Sequence, residues 1–292
     1  MGDTTMGTDF EGWGARAGRL AARWGRTAWA GLLLASAAVA QGEVADRWGP
    51  NEPASTFGSR FDSLFWLITT LVSVSFLIVL VMLFLAVVRF RARPGSKAHY
   101  DRGNSLHDKR FTAVVSVTVF VVLDAWVLVI AMRDLREAHW KYPAADEPGV
   151  YEVEVLAQQW AWNFRTKGVD GEFGTADDIV TINELHIPEG RPIKFNLTSK
   201  DVIHSFFVPD MRVKRDLNPG AINMLWFQAA KTGTFDLFCA ELCGYAHYMM
   251  GGEVYVLESD RFDAWEQEAS RLAEIAYDAE DTEAHWAWDW KD

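Results

Sequence analysis

The stretch Cys239-Ala240-Glu241-Leu242-Cys243-Gly244-Tyr245-Ala246-His247-Tyr248-Met249-Met250 gathers two thiols, an imidazole and a thioether on one short segment. Upstream, His204 stands in the run Asp201-Val202-Ile203-His204-Ser205-Phe206-Phe207, which reads as a strand. One histidine from a strand, with Cys243, His247 and Met250 on a single loop after a late strand, is the ligand set of a mononuclear blue-copper site. Soft sulfur donors combined with imidazoles suit copper. Cys239 is then an additional thiolate. Two thiolates, two imidazoles and a thioether suit two coppers that share both sulfurs, and Glu241 between the cysteines offers its backbone carbonyl as a further donor. Three other readings use the same residues. The cysteines could pair as a disulfide, which an exported domain permits. They could join the two histidines in a Cys2His2 zinc site. They could also be ordinary core together with Met250. A disulfide leaves two histidines and a methionine at ligand spacing without a task, and zinc leaves Met250 and the carbonyl unused.

The segments around this loop are those of a β domain. Tyr151-Glu152-Val153-Glu154-Val155 alternates, and one strand reading extends as far as Phe164. Further apolar segments follow at Ile179–Pro188, Pro192–Thr198, Val202–Val208, Ile222–Gln228, Thr234–Phe238 and Glu253–Leu257. Pro188-Glu189-Gly190, Asn218-Pro219-Gly220 and Lys231-Thr232-Gly233 punctuate them as turns. Short strands at this spacing predict a sandwich or barrel over 146–258.

Before the β domain the chain is apolar. No charged residue occurs from Ser63 to Val88, and a second run, Phe111 to Met132, contains one, Asp124. About 20 residues at 1.5 Å each cross a hydrocarbon core of roughly 30 Å, so 63–88 and 111–132 form a transmembrane hairpin within 63–135. Arg89, Arg91, Arg93, Lys97, Arg102, Lys109 and Arg110 make the connecting loop basic and hence cytoplasmic. Both flanks, and with them the β domain, then face the other side. At the N-terminus Arg16, Arg19, Arg23 and Arg26 precede the apolar stretch Ala28–Ala40, which ends in Ala38-Val39-Ala40. That describes a secretory signal peptide over 1–40, or an uncleaved anchor, with an exported arm over 41–62.

Composition agrees with this division. Hydrophobic residues make up 50% of the 292 residues, concentrated in the spans, and the net charge of −12 argues against a nucleic-acid partner and for a basic one. Two cysteines exclude a multi-disulfide scaffold.

A hairpin followed by an exported β domain with H…C-x-E-x-C-x3-H-x2-M resembles subunit II of haem–copper cytochrome c oxidase, from about Phe61 to Leu257. Asp201-Val202-Ile203-His204-Ser205, Lys214-Arg215-Asp216-Leu217-Asn218-Pro219-Gly220 and Gln159-Trp160-Ala161-Trp162 are similar to family segments. The resemblance implies an α+β membrane protein: a two-helix transmembrane hairpin, then an all-β cupredoxin-like Greek-key barrel. It implies a copper A centre of two copper ions bridged by Cys239 and Cys243. His204 and His247 would each supply a ring nitrogen, Met250 its sulfur and Glu241 its backbone oxygen. The Glu241 carboxylate would reach a magnesium ion at the boundary with subunit I. Trp160 would be the point of electron entry from cytochrome c or a cytochrome c-bearing donor complex. Electrons would pass singly to the haem of subunit I, where oxygen is reduced to water with proton pumping. The implied place is a bacterial-type inner membrane, with the copper domain on the periplasmic side and other oxidase subunits as partners. The sequence departs from the family at Ala161, where an aromatic is usual, at Phe206, where tryptophan often follows His-Ser, and in the second span, which lacks Trp-Thr-x-x-Pro. Two readings of other classes are a copper-free quinol oxidase subunit II and a membrane-tethered copper-binding assembly module. The first lacks the cysteines, and the second needs no two-span hairpin.

Four further expectations concern single features. Asp170, Asp177 and Asp178 lie on a glycine-containing insert and could hold calcium, although Asp-Gly turn chemistry explains the same residues. Aligning Phe111-Thr112 with the family's Trp-Thr puts Asp108 at its proton-entry position, with an ordinary interfacial charge as the other reading. Asp124 should face subunit I instead of lipid. Over 259–292 an acidic helix to about Tyr277 is followed by His285-Trp286-Ala287-Trp288-Asp289-Trp290, which should dock on a partner outside the membrane.

Overall fold

The computed structural model describes residues 51–280, except 96, 98, 99, 101, 145, 146 and 279. The signal-peptide reading of 1–40 and the tryptophan cluster at 286–290 lie outside the described residues.

Helix α1 spans Gly58–Phe90. The second long helix runs over Leu106–Trp140, as α2 (Leu106–Val119), a π-helical turn (Phe120–Ala125), α3 (Trp126–Leu135) and a second π-helical turn (Arg136–Trp140). Both long helices are long and apolar enough to cross a membrane. Both also extend past the apolar runs, and at the ends nearer the β domain the added turns find charge partners. Arg60 pairs with Glu137, and Arg133 donates to the buried Asp134 at 3.1 Å. At the other end Ser105 caps α2, its hydroxyl oxygen accepting from the Asp108 N–H at 3.1 Å.

The β domain is two five-stranded sheets. The first has the order β3 (Ile179–Ile182), β2 (Ala161–Thr166), β1 (Tyr151–Gln158), β5 (Pro192–Ser199), β8 (Asn223–Gln228). The second has the order β4 (Glu184–Pro188), β10 (Gly251–Leu257), β9 (Gly233–Cys239), β6 (His204–Val208), β7 (Val213–Leu217). β1 with β5 and β4 with β10 are parallel, and the other pairs are antiparallel. Strict alternation in β5 points Ile193, Phe195 and Leu197 inward, where each is fully buried. Phe195 packs against Phe227 of its own sheet at 5.1 Å and Phe206 of the opposite sheet at 5.5 Å, which joins the sheets into one core.

Two strand expectations are corrected and one strand is added. The run to Phe164 is a hairpin, because a two-residue turn at Gln159-Trp160 folds Ala161 back onto Gln158. Ile179–Pro188 is two strands in different sheets, divided at Asn183 with φ 60°. β7 was not anticipated: only Val213 and Leu217, at its ends, are buried.

The arm before α1 is stitched into the barrel. The Ala54 N–H donates to the Asp210 carbonyl at 2.7 Å, and the Ala54 carbonyl accepts from Ala230 at 2.7 Å. Ser55 bridges to Ala229. After the last strand, helix α4 (Ser259–Ala276) lies against the barrel. Its fully buried Phe262 meets Tyr151 edge-on at 5.2 Å, and Trp265 stacks on His186 at 4.4 Å.

Candidate metal centre

The loop after β9 is closed by its own ends. Cys239 is the last residue of β9 and Met250 immediately precedes β10, and the Cys239 N–H donates to the Met250 carbonyl at 3.2 Å. The Ala240 N–H donates to the Ser205 carbonyl at 3.0 Å, which fastens the same neck to β6. A single 3-10 turn, His247–Met249, brings the far half of the loop back.

The six residues expected from the sequence meet here. His204 Nδ1 lies 3.1 Å from Met250 Sδ and 3.9 Å from Cys239 Sγ. Cys243 Sγ lies 3.7 Å from both Cys239 Sγ and Met250 Sδ, and 3.5 Å from His247 Nδ1. The Glu241 carbonyl oxygen is 3.2 Å from Cys239 Sγ. Among the described residues, His204, Cys239 and Cys243 form the one group of three or more His, Cys, Asp or Glu with ligand atoms close enough to share a metal. The sulfurs are far beyond the roughly 2 Å of a disulfide, and both thiols are free.

Asp201 holds the rear of the site. Its carboxylate meets His204 Nε2 at 2.9 Å and accepts from the Gln159 N–H at 2.7 Å, leaving His204 Nδ1 to face the sulfurs. A carboxylate behind an imidazole fixes ring orientation and raises ligand basicity. Burial works against charge on the imidazole and on the carboxylate. Yet the His204 pKa is raised by Cys239 and Asp201, and that of Asp201 is lowered by His204 and the Gln159 and Val202 N–H groups. The two thiols diverge. Burial opposes ionisation of Cys239, but His204 and the Glu241 and Ser205 backbone bring its pKa down. Burial and the adjacent Cys239 push Cys243 up.

Trp160 sits at the mouth of the same site. It is 37% exposed and contacts Gly244, the residue after Cys243, so closely that a Cβ on Gly244 would meet its ring at 3.3 Å. Its neighbour Gln159 donates from Nε2 to the Cys243 carbonyl at 2.7 Å. Trp162 is buried behind His204, with ring centroids 6.3 Å apart. Gln159, Gly244 and the role of Asp201 were missed in the sequence reading. An acid three residues before a candidate ligand histidine, and a glycine directly after a candidate ligand cysteine, were the available signals.

The calcium expectation is not supported by the geometry. Asp170 accepts from the Glu172 N–H, Asp177 from the Asp170 N–H and the Thr175 hydroxyl, and Asp178 from the Gly174 N–H. The carboxylates serve the turn and are not gathered as a common ligand cluster. Asp108 lies in the first turn of α2, where it also takes up the Ser105 hydroxyl, and Asp124 lies in the π-helical turn.

Comparison with known proteins bears on this arrangement. The profile of the family described as cytochrome C oxidase subunit II, periplasmic domain, matches residues 166–257. The alternative cytochrome c oxidase subunit 2 of Bradyrhizobium diazoefficiens is 33% identical over 225 residues, covering 69% of this chain and 78% of that one. The probable cytochrome c oxidase subunit 2 of Rickettsia bellii is 29% identical over 259 residues, covering 83% and 91%. The crystal structure of the periplasmic domain of subunit II of cytochrome oxidase from Bradyrhizobium japonicum aligns at 29% identity with a TM-score of 0.39, over 45% of this chain and 99% of that one. The chain belongs to the cytochrome c oxidase subunit II family, components of haem–copper oxidase complexes.

Proposed function

We propose that this chain is the electron-entry subunit of its oxidase, taking electrons singly from cytochrome c and handing them to the haem of subunit I. There oxygen is reduced to water with proton pumping. The observation that carries this reading is the placement of Met250 Sδ 3.1 Å from His204 Nδ1 and 3.7 Å from Cys243 Sγ. A thioether inside a Cys/His cluster matches copper and has no use in a zinc site. Cys239 and Cys243 would bridge two coppers, with His204 and His247 binding through Nδ1, Met250 through sulfur and Glu241 through its backbone oxygen. Bound copper supplies a one-electron carrier. The neck bonds of Cys239 and Ala240 hold the donors in place, so little rearrangement accompanies a change of charge. The exposed Glu241 side chain is free to reach a magnesium ion at the subunit I boundary.

Trp160 is the proposed entry point, supported by its exposure beside Gly244. Leu242, Tyr245, Tyr248 and Met249 are exposed on the same loop as Gly244 and would offer apolar surface to a docking partner. The two long helices would cross an inner membrane, with the basic loop in the cytoplasm and the barrel outside. Asp108, at the cytoplasmic start of the second helix, would be a proton entry point.

The test is copper content. The detergent-solubilised chain should bind two coppers, and Cys239→Ser should bind one at most. A Cys239→Ser chain with two coppers and an unchanged spectrum would overturn the bridging role.

A further inference from the structure

Asp124 is the one charged residue between Arg110 and Arg133, fourteen positions after the first and nine before the second. At about 1.5 Å per residue it lies deep within the apolar stretch, far from both ends. Its side chain is exposed on this chain. Among the described residues none donates a hydrogen bond to it or pairs with it. Helix α1 offers no cation, since 63–88 is free of charge, and its main contacts with the second helix are along Trp126–Leu135, beyond Asp124.

A second, independent feature falls on the same residues. The helix is π-helical over Phe120–Ala125, with α-helix before and after. A π turn inserts an extra residue and so offsets the face before it from the face after it, by about 100°. It weakens local hydrogen-bond geometry and recurs where a side chain has to be aimed. Here the π turn contains Asp124 and lies immediately before α3, the part of the second helix that contacts α1.

An ionised carboxylate in hydrocarbon is unfavourable unless it is paired, and such residues face the interior of a helix assembly. Phenylalanine, valine and leucine fill Phe120–Leu123 and carry no polar group to share the load. We propose that Asp124 is an intramembrane docking point, its carboxylate accepting a charge-assisted hydrogen bond from a lysine, arginine or histidine on a membrane helix of the haem-bearing subunit. The inference rests on the reading of this chain as a membrane-spanning oxidase subunit.

The experiment uses the full oxidase complex, purified through a tag on this chain, with unmodified chain, Asp124→Asn and Asp124→Leu. Co-purifying haem per chain should fall several-fold in Asp124→Leu as detergent is made harsher, and less in Asp124→Asn, which keeps a hydrogen-bonding group. Copper per chain attributable to the barrel should not change. A second measurement needs no variant. A hydrophobic carbodiimide, which attacks protonated carboxyls from the lipid, should modify Asp124 in the separated chain and spare it in the intact complex. Equal modification in both states, or Asp124→Leu retaining haem as well as the parent at every detergent strength, would overturn the proposal. If the unmodified chain brings down no haem, it is the oxidase-subunit reading that fails.

Discussion

Arg212 grips Asp62 through two hydrogen bonds, Nε to Oδ1 at 2.7 Å and Nη2 to Oδ2 at 2.9 Å. Asp62 lies in the first turns of α1, and Arg212 sits at φ 56° on the corner that leads into β7. The pair therefore fastens the barrel-side end of the apolar helix α1 to the barrel, and a two-pronged contact fixes angle as well as distance. Asp62→Ala should cost roughly 2 kcal/mol, the scale of a charge-assisted hydrogen bond that is only partly exposed. The expected outcome is a lower melting temperature of the barrel in the solubilised chain, with copper content retained. A melting curve that superimposes on the parent's would remove the coupling role.

Gly244→Ala probes the contact between Trp160 and the ligand loop. The new Cβ would lie 2.7 Å from Gln159 Nε2 and 3.3 Å from Trp160 Cζ2, at a φ of 121° that disfavours any side chain. The Gln159 bond to the Cys243 carbonyl should be lost and the indole displaced. Rapid-mixing measurements should show slower reduction by cytochrome c at near-normal copper content. Unaltered reduction would mean that electrons enter elsewhere.

Protons compete with copper for the sulfurs. Burial and Cys239 hold the Cys243 pKa above the usual thiol range, so at neutral pH the metal-free chain keeps a proton there that copper must displace. Copper affinity of the metal-free chain should therefore rise with pH through neutrality. Titrations at several pH values that give a flat affinity would contradict the protonated state.

Stability should also depend on pH through Glu154. Burial pushes its pKa up to about 7 against the opposing pull of Arg165, whose Nε donates to it at 2.6 Å. The folded state then holds a proton that the unfolded chain releases at lower pH. Glu154's favourable contribution is full below the ordinary carboxyl range and is lost as pH rises to about 7. Glu154→Gln should flatten that part of the stability profile, followed by thermal melts of the parent and the variant across pH 4 to 8.

Helix α4 should be an integral part of the domain. Phe262 is fully buried whereas Leu272 is 52% exposed. Phe262→Ala should destabilise the barrel by roughly 3–5 kcal/mol, while Leu272→Ala should have little effect. Equal melting temperatures for the two variants would mean that the helix does not pack as described.

The ligand loop and the apolar spans were legible because their chemistry is local. Cys243, His247 and Met250 announce themselves by type and spacing, and His204 by standing in an apolar run. What escaped was what depends on neighbours distant in sequence. β7 reads as Val-Lys-Arg-Asp-Leu, with no alternation to mark a strand, and exists because it pairs with β6. The strand reading carried from Tyr151 to Phe164 hid a hairpin, since both strands present hydrophobic residues to the same core. The second helix was cut short at Met132 because Arg133, Asp134 and Glu137 look like an ending. In the structure Arg133 pairs with Asp134 and Glu137 with Arg60, so the helix goes on. Asp201, likewise, gains its role behind His204 only when the loop before β6 brings both to the site.

The stitching of Ala54 and Ser55 sets a calendar for the molecule. These residues are made before their partners Asp210, Ala229 and Ala230, which follow 156, 174 and 176 positions later. The arm must wait beside the hairpin until most of the barrel exists, and its seat closes only after β8 is in place. A fragment cut to begin at Tyr151 would be born without that closure, leaving the Asp210 carbonyl and the Ala230 N–H to water.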